Sequence, residues 1–331
     1  MIKIIKAEPV HAEQISAVYH RQYGNYYPHR EFTVPELIRK QMNKPDLIWK
    51  LALDSEKVVG TMLGLLNPSN RTYEGGRVVI DHDQRGLGIA TLLHEAIWEE
   101  AGSRDYELVY YTMREKVGIS AAGEKLGLTL CGYLPGKHRL AGKRRENHPF
   151  FIKISQGFSK KRRAPDHNLY HQNSYLMDIL DSLSLENRSY PYPSACMADC
   201  YTDRCCTLRS GIVHYSYSSD EESLSIGKIV SDNPLQLLID LFNPDSQESI
   251  PEMADAKYIE LDVLADKSDL IADLEKIGFR RFVFLPGWFL KDGLRFDCFR
   301  MVHNEAYSRD EAVAEIVSKV QKEFTHKGAA D

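Results

Sequence analysis

Asp81-His82-Asp83-Gln84-Arg85-Gly86-Leu87-Gly88-Ile89-Ala90 is the stretch that decides the fold. Gly76–Ile80 before it reads as a strand. After it, Ile89, Leu92, Leu93, Ala96 and Ile97 recur at helical spacing and predict an amphipathic helix over Ile89–Glu100. A helix start leaves its first N–H groups without intrahelical partners and adds partial positive charge. Glycines at 86 and 88 permit positive φ and a close backbone approach. Such a turn cradles a phosphate or pyrophosphate. It has no Lys-Ser/Thr, so it is not a P-loop, and it follows several strands, so it is not a dinucleotide fingerprint. The alternative is a tight corner that binds nothing.

Working outward, Ile2–Ala7 reads as a strand and Ala12–Arg21 as a helix. Thr33 caps a second helix opened by Pro35 and running to about Met42. Leu47–Asp54 and Lys57–Leu66 read as strands around a turn at Ser55-Glu56. Beyond the central helix come strand Glu107–Thr112, helix Ile119–Leu126 and strands Leu128–Leu134 and Phe150–Ile154. Strand–helix alternation of this length predicts one α/β layered domain. Residues 155–170 read as a linker. Further on, helices are expected at Tyr175–Leu185, Leu235–Leu241 and Asp269–Ile277, and strands at Gly211–Tyr217, Tyr258–Val263, Arg281–Leu285 and Phe296–Met301. Ser308 and Glu311 form a capping box for a last helix with a stripe from Val313 to Phe324.

The chain repeats itself. Ala121–Gly136 (AAGEKLGLTLCGYLPG) and Ala272–Gly287 (ADLEKIGFRRFVFLPG) match at seven of sixteen positions without a gap. The second half therefore repeats the helix–strand end of the first.

The 331 residues suit two domains. The composition excludes collagen-like, disordered and disulfide-scaffold classes. No apolar run of about 18 residues occurs, so no spanning helix is expected. The N-terminus lacks a secretory signal, which places the six cysteines as reduced thiols in a cytoplasm. Residues 1–166 carry a net +7 and residues 167–331 a net −12. Residues 137–163 hold ten Lys and Arg against one acid, Glu146. This stretch could meet a nucleotide phosphate, a nucleic acid or an acidic acyl-carrier protein, or be a solvated loop facing the acidic second half. A pI near 6.2 gives no overall basic footprint for nucleic acid. Cys196, Cys200, Cys205 and Cys206 are crowded, but adjacent cysteines are awkward for zinc, and no metal is expected.

Arg85-x-x-Gly88-x-Ala90, between a strand and an amphipathic helix, resembles the acyl-CoA signature of the GNAT N-acyltransferase superfamily, Arg/Gln-x-x-Gly-x-Gly/Ala. Glu124-Lys125-Leu126-Gly127-Leu128 is similar to that family's penultimate helix end, and the element order agrees. The resemblance covers about residues 1–157. It implies a mixed, mostly antiparallel sheet flanked by helices, an α/β fold of α+β type. Residues 158–170 become a basic linker and 171–331 a degenerate GNAT-like copy. No second signature precedes that copy, so one CoA site is expected.

The resemblance further implies that acetyl-CoA, or another acyl-CoA, lies with its pyrophosphate on Arg85, Gly86, Leu87, Gly88, Ile89 and Ala90, with Thr91 as a side-chain donor. Its pantetheine arm would run along Val79 and Ile80. The reaction is direct attack of a primary amine, on a small metabolite or peptide, upon the thioester. A base must take the amine proton. Glu74 stands eleven residues before Arg85, where several members carry a Glu base; Asp81 and His82 are the second choice. Many members place an acidic Tyr where this chain has Gly123. Tyr110, Tyr111, Tyr133 or Ser120 could substitute, or positioning alone could suffice. Tyr23, Tyr26, Tyr27 and Tyr111 could line the acceptor or a long acyl chain. The second half could close over the acceptor or mediate a homodimer. A sensor that binds CoA thioesters without chemistry is the rival reading.

Overall fold

The computed structural model describes residues 2–25, 27, 29–113, 123–139, 145–165, 173–186, 189–200, 202–242, 246 and 248–304. Tyr26, Ser120, the first residues of the expected helix 119–126 and the whole of the expected helix after Ser308 lie outside them. The described residues group into two compact units. Residues 1–111 with 125–127 form one, and residues 112–124 with 128–331 form the other. A boundary at 157 concerns which residues follow the family pattern; these units concern which residues pack together.

In the first unit, strands β1 (Ile2–Lys6), β2 (Leu47–Asp54), β3 (Lys57–Asn67) and β4 (Thr72–Ile80) pair in antiparallel order. Strand β5 (Leu108–Thr112) then pairs with β4 in parallel. β4 begins four residues before the expected Gly76. Helices α1 (Ala12–Tyr23), α2 (Pro35–Met42) and α3 (Ile89–Ser103) cover this sheet. Val34, not Thr33, is the N-cap of α2, and Thr33 makes no capping bond. Ile15, Val18 and Tyr19 of α1 join Ile38, Trp49, Leu51 and Leu63 in one core. On α3 the buried residues are Ile89, Leu93, His94, Ile97 and Ala101, while Leu92 is 40% exposed. The true stripe follows a spacing of four, and Leu92 lies off it. Gly64 on β3 lets α3 approach closely, since a Cβ there would stand 2.8 Å from Ile97.

In the second unit, β6 (Thr129–Arg139) and β7 (Arg145–Ile154) form a hairpin. Residues expected as linker are packed instead: Phe158–Lys161 forms a helical turn and β8 (Arg162–Arg163) pairs with β14. Phe158 and Arg162 are buried. After α4 (Ser174–Ser182) come β9 (Arg204–Thr207), β10 (Ile212–Ser218) and β11 (Ser223–Val230), all antiparallel. Helix α5 (Pro234–Leu241) leads to β12 (Tyr258–Leu264), parallel to β11. Helix α6 (Ser268–Lys276) precedes the hairpin of β13 (Arg280–Lys291) and β14 (Leu294–His303). That hairpin turns on Asp292-Gly293, both at positive φ, as a two-residue primed turn requires. β14 also pairs with β12.

The two copies of the repeat share their local structure. Gly127 and Gly278 both take positive φ at a helix end, and so do Gly136 and Gly287 within their strands. Leu128 donates its N–H to Gly123, and Phe279 donates to Leu274. Gly136 N–H donates to Asn147, and Gly287 N–H to Asp297. Arg145 donates to the Gly136 carbonyl and Arg295 to that of Gly287. The copies also pair with each other at Gly132 and Val283, equivalent positions of the repeat.

Candidate functional site

The ten-residue stretch folds as a strand-to-helix turn. Val79 and Ile80 pair with Thr61 and Gly60 at the end of β4. A short helical turn, His82–Gln84, follows, and Gly88 is the N-cap of α3. Gly86 and Gly88 have φ of +81° and +74°, in the left-handed region, and a Cβ on either would meet nothing within 4 Å. Gly88 brings no capping side chain, and among the described residues no hydrogen bond engages the N–H groups of Gly86–Thr91. These groups, the helix dipole and open space suit an anionic oxygen cluster such as a pyrophosphate. Arg85, Gly86, Leu87 and Gly88 are exposed, Ile89 is buried, and Ala90 and Thr91 are half-buried. The Arg85 guanidinium donates to Gln22 of α1.

Beside the turn, two strands part. β4 and β5 pair only from Thr72–Leu108 to Glu74–Tyr110. Past that rung β4 bulges against β3, and Arg77 at the bulge takes φ +55°. On a regular strand residues 74 and 77 would face opposite sides. The left-handed residue brings Arg77 round, and its guanidinium donates to Glu74 at 3.2 Å. Arg77 also lies 5.9 Å over the Phe32 ring, and its buried Nε has no hydrogen-bond partner. Burial opposes its charge, but Glu74 and the nearby Tyr27 and Tyr19 hold its pKa above the usual arginine value. Glu74 is therefore a half-buried carboxylate at the mouth of the gap, with a fixed cationic partner. Sequence reasoning missed Arg77; the Gly75-Gly76 pair inside a strand was a signal for a bulge there.

Other expected residues stand differently. Asp81 is bound by Arg21 through two bonds of 2.7 and 2.9 Å, with Lys57 at 3.5 Å. This ties the end of α1 to the end of β4. His82 is solvated, with Asp83 at 3.4 Å. Arg21, Gln22, Lys57 and Asp81–Gln84 line a shallow cleft next to the turn. Tyr111 is buried, and its ring packs on Gly75, where a Cβ would come within 2.2 Å. Its hydroxyl bonds to buried His94, and burial raises its pKa. Tyr111 is thus part of the packing beneath the gap. Tyr19 is buried and donates to the Arg77 carbonyl at 3.1 Å. Tyr23 and Tyr27, half-buried with ring centroids 4.8 Å apart, form the outer layer of that aromatic cluster.

Gly123 is packed under Phe151, where a Cβ would come within 2.9 Å. A side chain there would have to displace the Phe151 ring, and glycine itself supplies no acid. Four of the ten cations of the basic stretch, with His138, pair with acids of the second half. Lys137 bonds to Glu260 at 2.7 and 2.9 Å, His138 to Glu221 at 2.5 Å, Arg139 and Arg145 to Glu222 at 3.0 and 3.2 Å, and Arg162 to Asp297. All six cysteines are free thiols. Among the described residues no group of three or more His, Cys, Asp or Glu could hold a metal ion, and no helix is long and apolar enough to cross a membrane.

Residues 12–118 match the model of the acetyltransferase (GNAT) family. No curated protein matches the sequence. Among solved structures, the ribosomal-protein-alanine N-acetyltransferase from Brucella melitensis is 20% identical, covering 46% of this chain and 99% of its own, with a TM-score of 0.40. The aminoglycoside 6′-N-acetyltransferase from Enterococcus faecium is 18% identical, covering 46% and 96%, with a TM-score of 0.37. An aminoglycoside 6′-N-acetyltransferase complexed with coenzyme A is 19% identical, covering 46% and 96%, with a TM-score of 0.38. Over residues 12–118, then, this chain resembles a GNAT acetyltransferase domain, a family of acyltransferases with an acyl-CoA as co-substrate.

Proposed function

We propose that the protein moves an acyl group, acetyl fitting best, from CoA to a primary amine of a small metabolite or peptide in the cytoplasm. The observation that carries this is the turn Arg85–Ala90, with two left-handed glycines and unengaged N–H groups at the start of a 15-residue helix. It lies at the end of the strand that parts from its parallel neighbour. The pyrophosphate would sit on this turn, with Thr91 adding a hydroxyl, and the pantetheine arm would follow Val79 and Ile80. The acceptor would enter on the side of Tyr23 and Tyr27.

Glu74 is the base in this reading. The amine nitrogen forms a bond to the thioester carbonyl carbon, and the C–S bond breaks as the tetrahedral species collapses. The amine proton passes to Glu74, directly or through water, and the CoA thiolate leaves. Arg77 fixes the carboxylate and keeps it paired in the absence of an acceptor. Asp81, held by Arg21, and His82, out in solvent, are less suited.

Thermal unfolding with CoA, acetyl-CoA and longer acyl-CoAs tests the donor, because a ligand of the folded state raises the Tm by mass action. The largest shift should come with acetyl-CoA; no shift with any CoA at millimolar concentration overturns the reading. Thiol release over a panel of amines tests the chemistry. Packed Gly123 favours a second reading, a CoA-thioester sensor; binding without thiol release on any amine would establish it.

A further inference from the structure

The second half contains a gap like the first. β11 and β12 pair in parallel from Ser223–Tyr258 to Ile226–Leu261 and then part. β11 bulges directly past that rung, where Gly227 is the extra residue against β10. This gap is filled. Leu264 N–H donates to Cys196 O at 3.0 Å, and Ala198 N–H donates to Asp262 O at 2.9 Å. Between them Met197 bridges Val263 in antiparallel fashion. On the other side Cys200 N–H donates to Gly227 O at 3.2 Å. A Cβ on Gly227 would lie 2.7 Å from the Cys200 sulfur, so the segment presses on the bulge itself. Met197 and Ala198 are buried, and burial pushes the Cys200 thiol up to about 12.

The helix that follows β11 is also closed. Its N-cap is Asn233, whose side chain accepts from Gln236 N–H at 3.1 Å, and its first residue is Pro234, which has no N–H. At the corresponding point of the first half stands Gly88, with no side chain to cap its helix.

We propose that Cys196–Cys200 is a built-in strand occupying the second half's donor gap, so that each chain binds one acyl-CoA, in the first half, and the second half binds none. The segment uses the backbone groups of β11 and β12 that an extended amide-bearing arm would need. The count of one rests on the donor reading of the first gap; the occupancy of the second gap does not.

Acetyl-CoA titrated into the full chain by calorimetry should bind with a stoichiometry of one. The Gly86→Val/Gly88→Val variant should show none at concentrations that saturate the wild type. Two equivalents in the wild type, or one retained in the variant, would overturn the proposal. Hydrogen exchange of the Ala198 and Cys200 amides is the independent arm. They should exchange as slowly as those of β12, with no change when acetyl-CoA is added. Exchange at free-peptide rates, or acceleration by acetyl-CoA, would overturn the built-in strand. No binding by the wild type would overturn the donor reading and the count of one, leaving exchange to decide the occupancy of the second gap.

Discussion

Two parallel strand pairs in this chain part after a few rungs, each beside a bulge, and they end in opposite conditions. The last rung of the first is Glu74 opposite Tyr110; that of the second is Ile226 opposite Leu261. Beyond the first lie a carboxylate with its arginine and an uncapped helix start. Beyond the second lie a strand of the chain itself and a helix capped by its own Asn233. The parting of two strands is a property of topology. Whether it is a site depends on whether its N–H groups and strand edges are already satisfied.

The sharpest way to break this comparison is Glu74→Gln. It should lower kcat by about 10²–10⁴-fold while leaving donor binding intact. Thiol release with acetyl-CoA and an accepted amine measures it, and an unchanged rate would remove the chemical difference between the gaps.

The repeated clamp offers the next test. Asp297 accepts from Gly287 N–H and also neutralises buried Arg162, whereas Asn147 accepts from Gly136 N–H as a neutral amide. Asp297→Ala should cost about 3–5 kcal/mol, because it strands a buried guanidinium. Asn147→Ala should cost about 1–3 kcal/mol. Urea unfolding compares them; equal losses would mean that the two copies bear the same load.

Acid should act on the second half through Glu260. Burial alone would raise its pKa, but Lys137 and Arg300 pull it well below the usual glutamate range, down to about 2. A depressed carboxyl contributes stability that is fully present above its unfolded pKa and is lost as the pH falls through its folded one. The contribution, on the order of 3 kcal/mol, should therefore disappear between about pH 4.5 and pH 2. Urea unfolding across that range should show the loss, and Glu260→Gln should flatten it.

The smallest effects separate the helix starts. Gly88→Val places a β-branched residue at φ +74° and should weaken acetyl-CoA by roughly tenfold to a hundredfold. Asn233→Ala should lower stability by about 1 kcal/mol and leave that affinity unchanged. Calorimetry and urea unfolding read both; an affinity change from Asn233→Ala would tie the second helix to the donor.

Much of the fold was legible along the chain. The glycine turn, the α3 helix, the strands around it and the repeat all carry local signals: periodicity, punctuation by glycine and a segment that recurs without a gap. Three failures have a common cause. β11, Ser-Leu-Ser-Ile-Gly-Lys-Ile-Val, alternates only weakly and is a strand because β10 and β12 flank it. Leu92 fitted the apolar stripe by spacing but not by the angle at which α3 meets the sheet. Residues 158–163 read as linker because Arg162 is charged, and Asp297, 135 residues away, is what makes its burial tolerable.

The sequence by itself determined the turn proposed as the phosphate cradle, because its consecutive N–H groups and the glycines that free them are neighbours in the chain. It also determined the repeat. Tertiary structure alone decided which groups serve. Arg77 meets Glu74 only through a bulge, Asp81 is taken by Arg21 from another element, and Tyr111 is buried on Gly75. It alone decided that Cys196–Cys200 fills a gap formed by strands far along the chain. Hydrogen bonds between distant segments leave no period or spacing in the residues that make them.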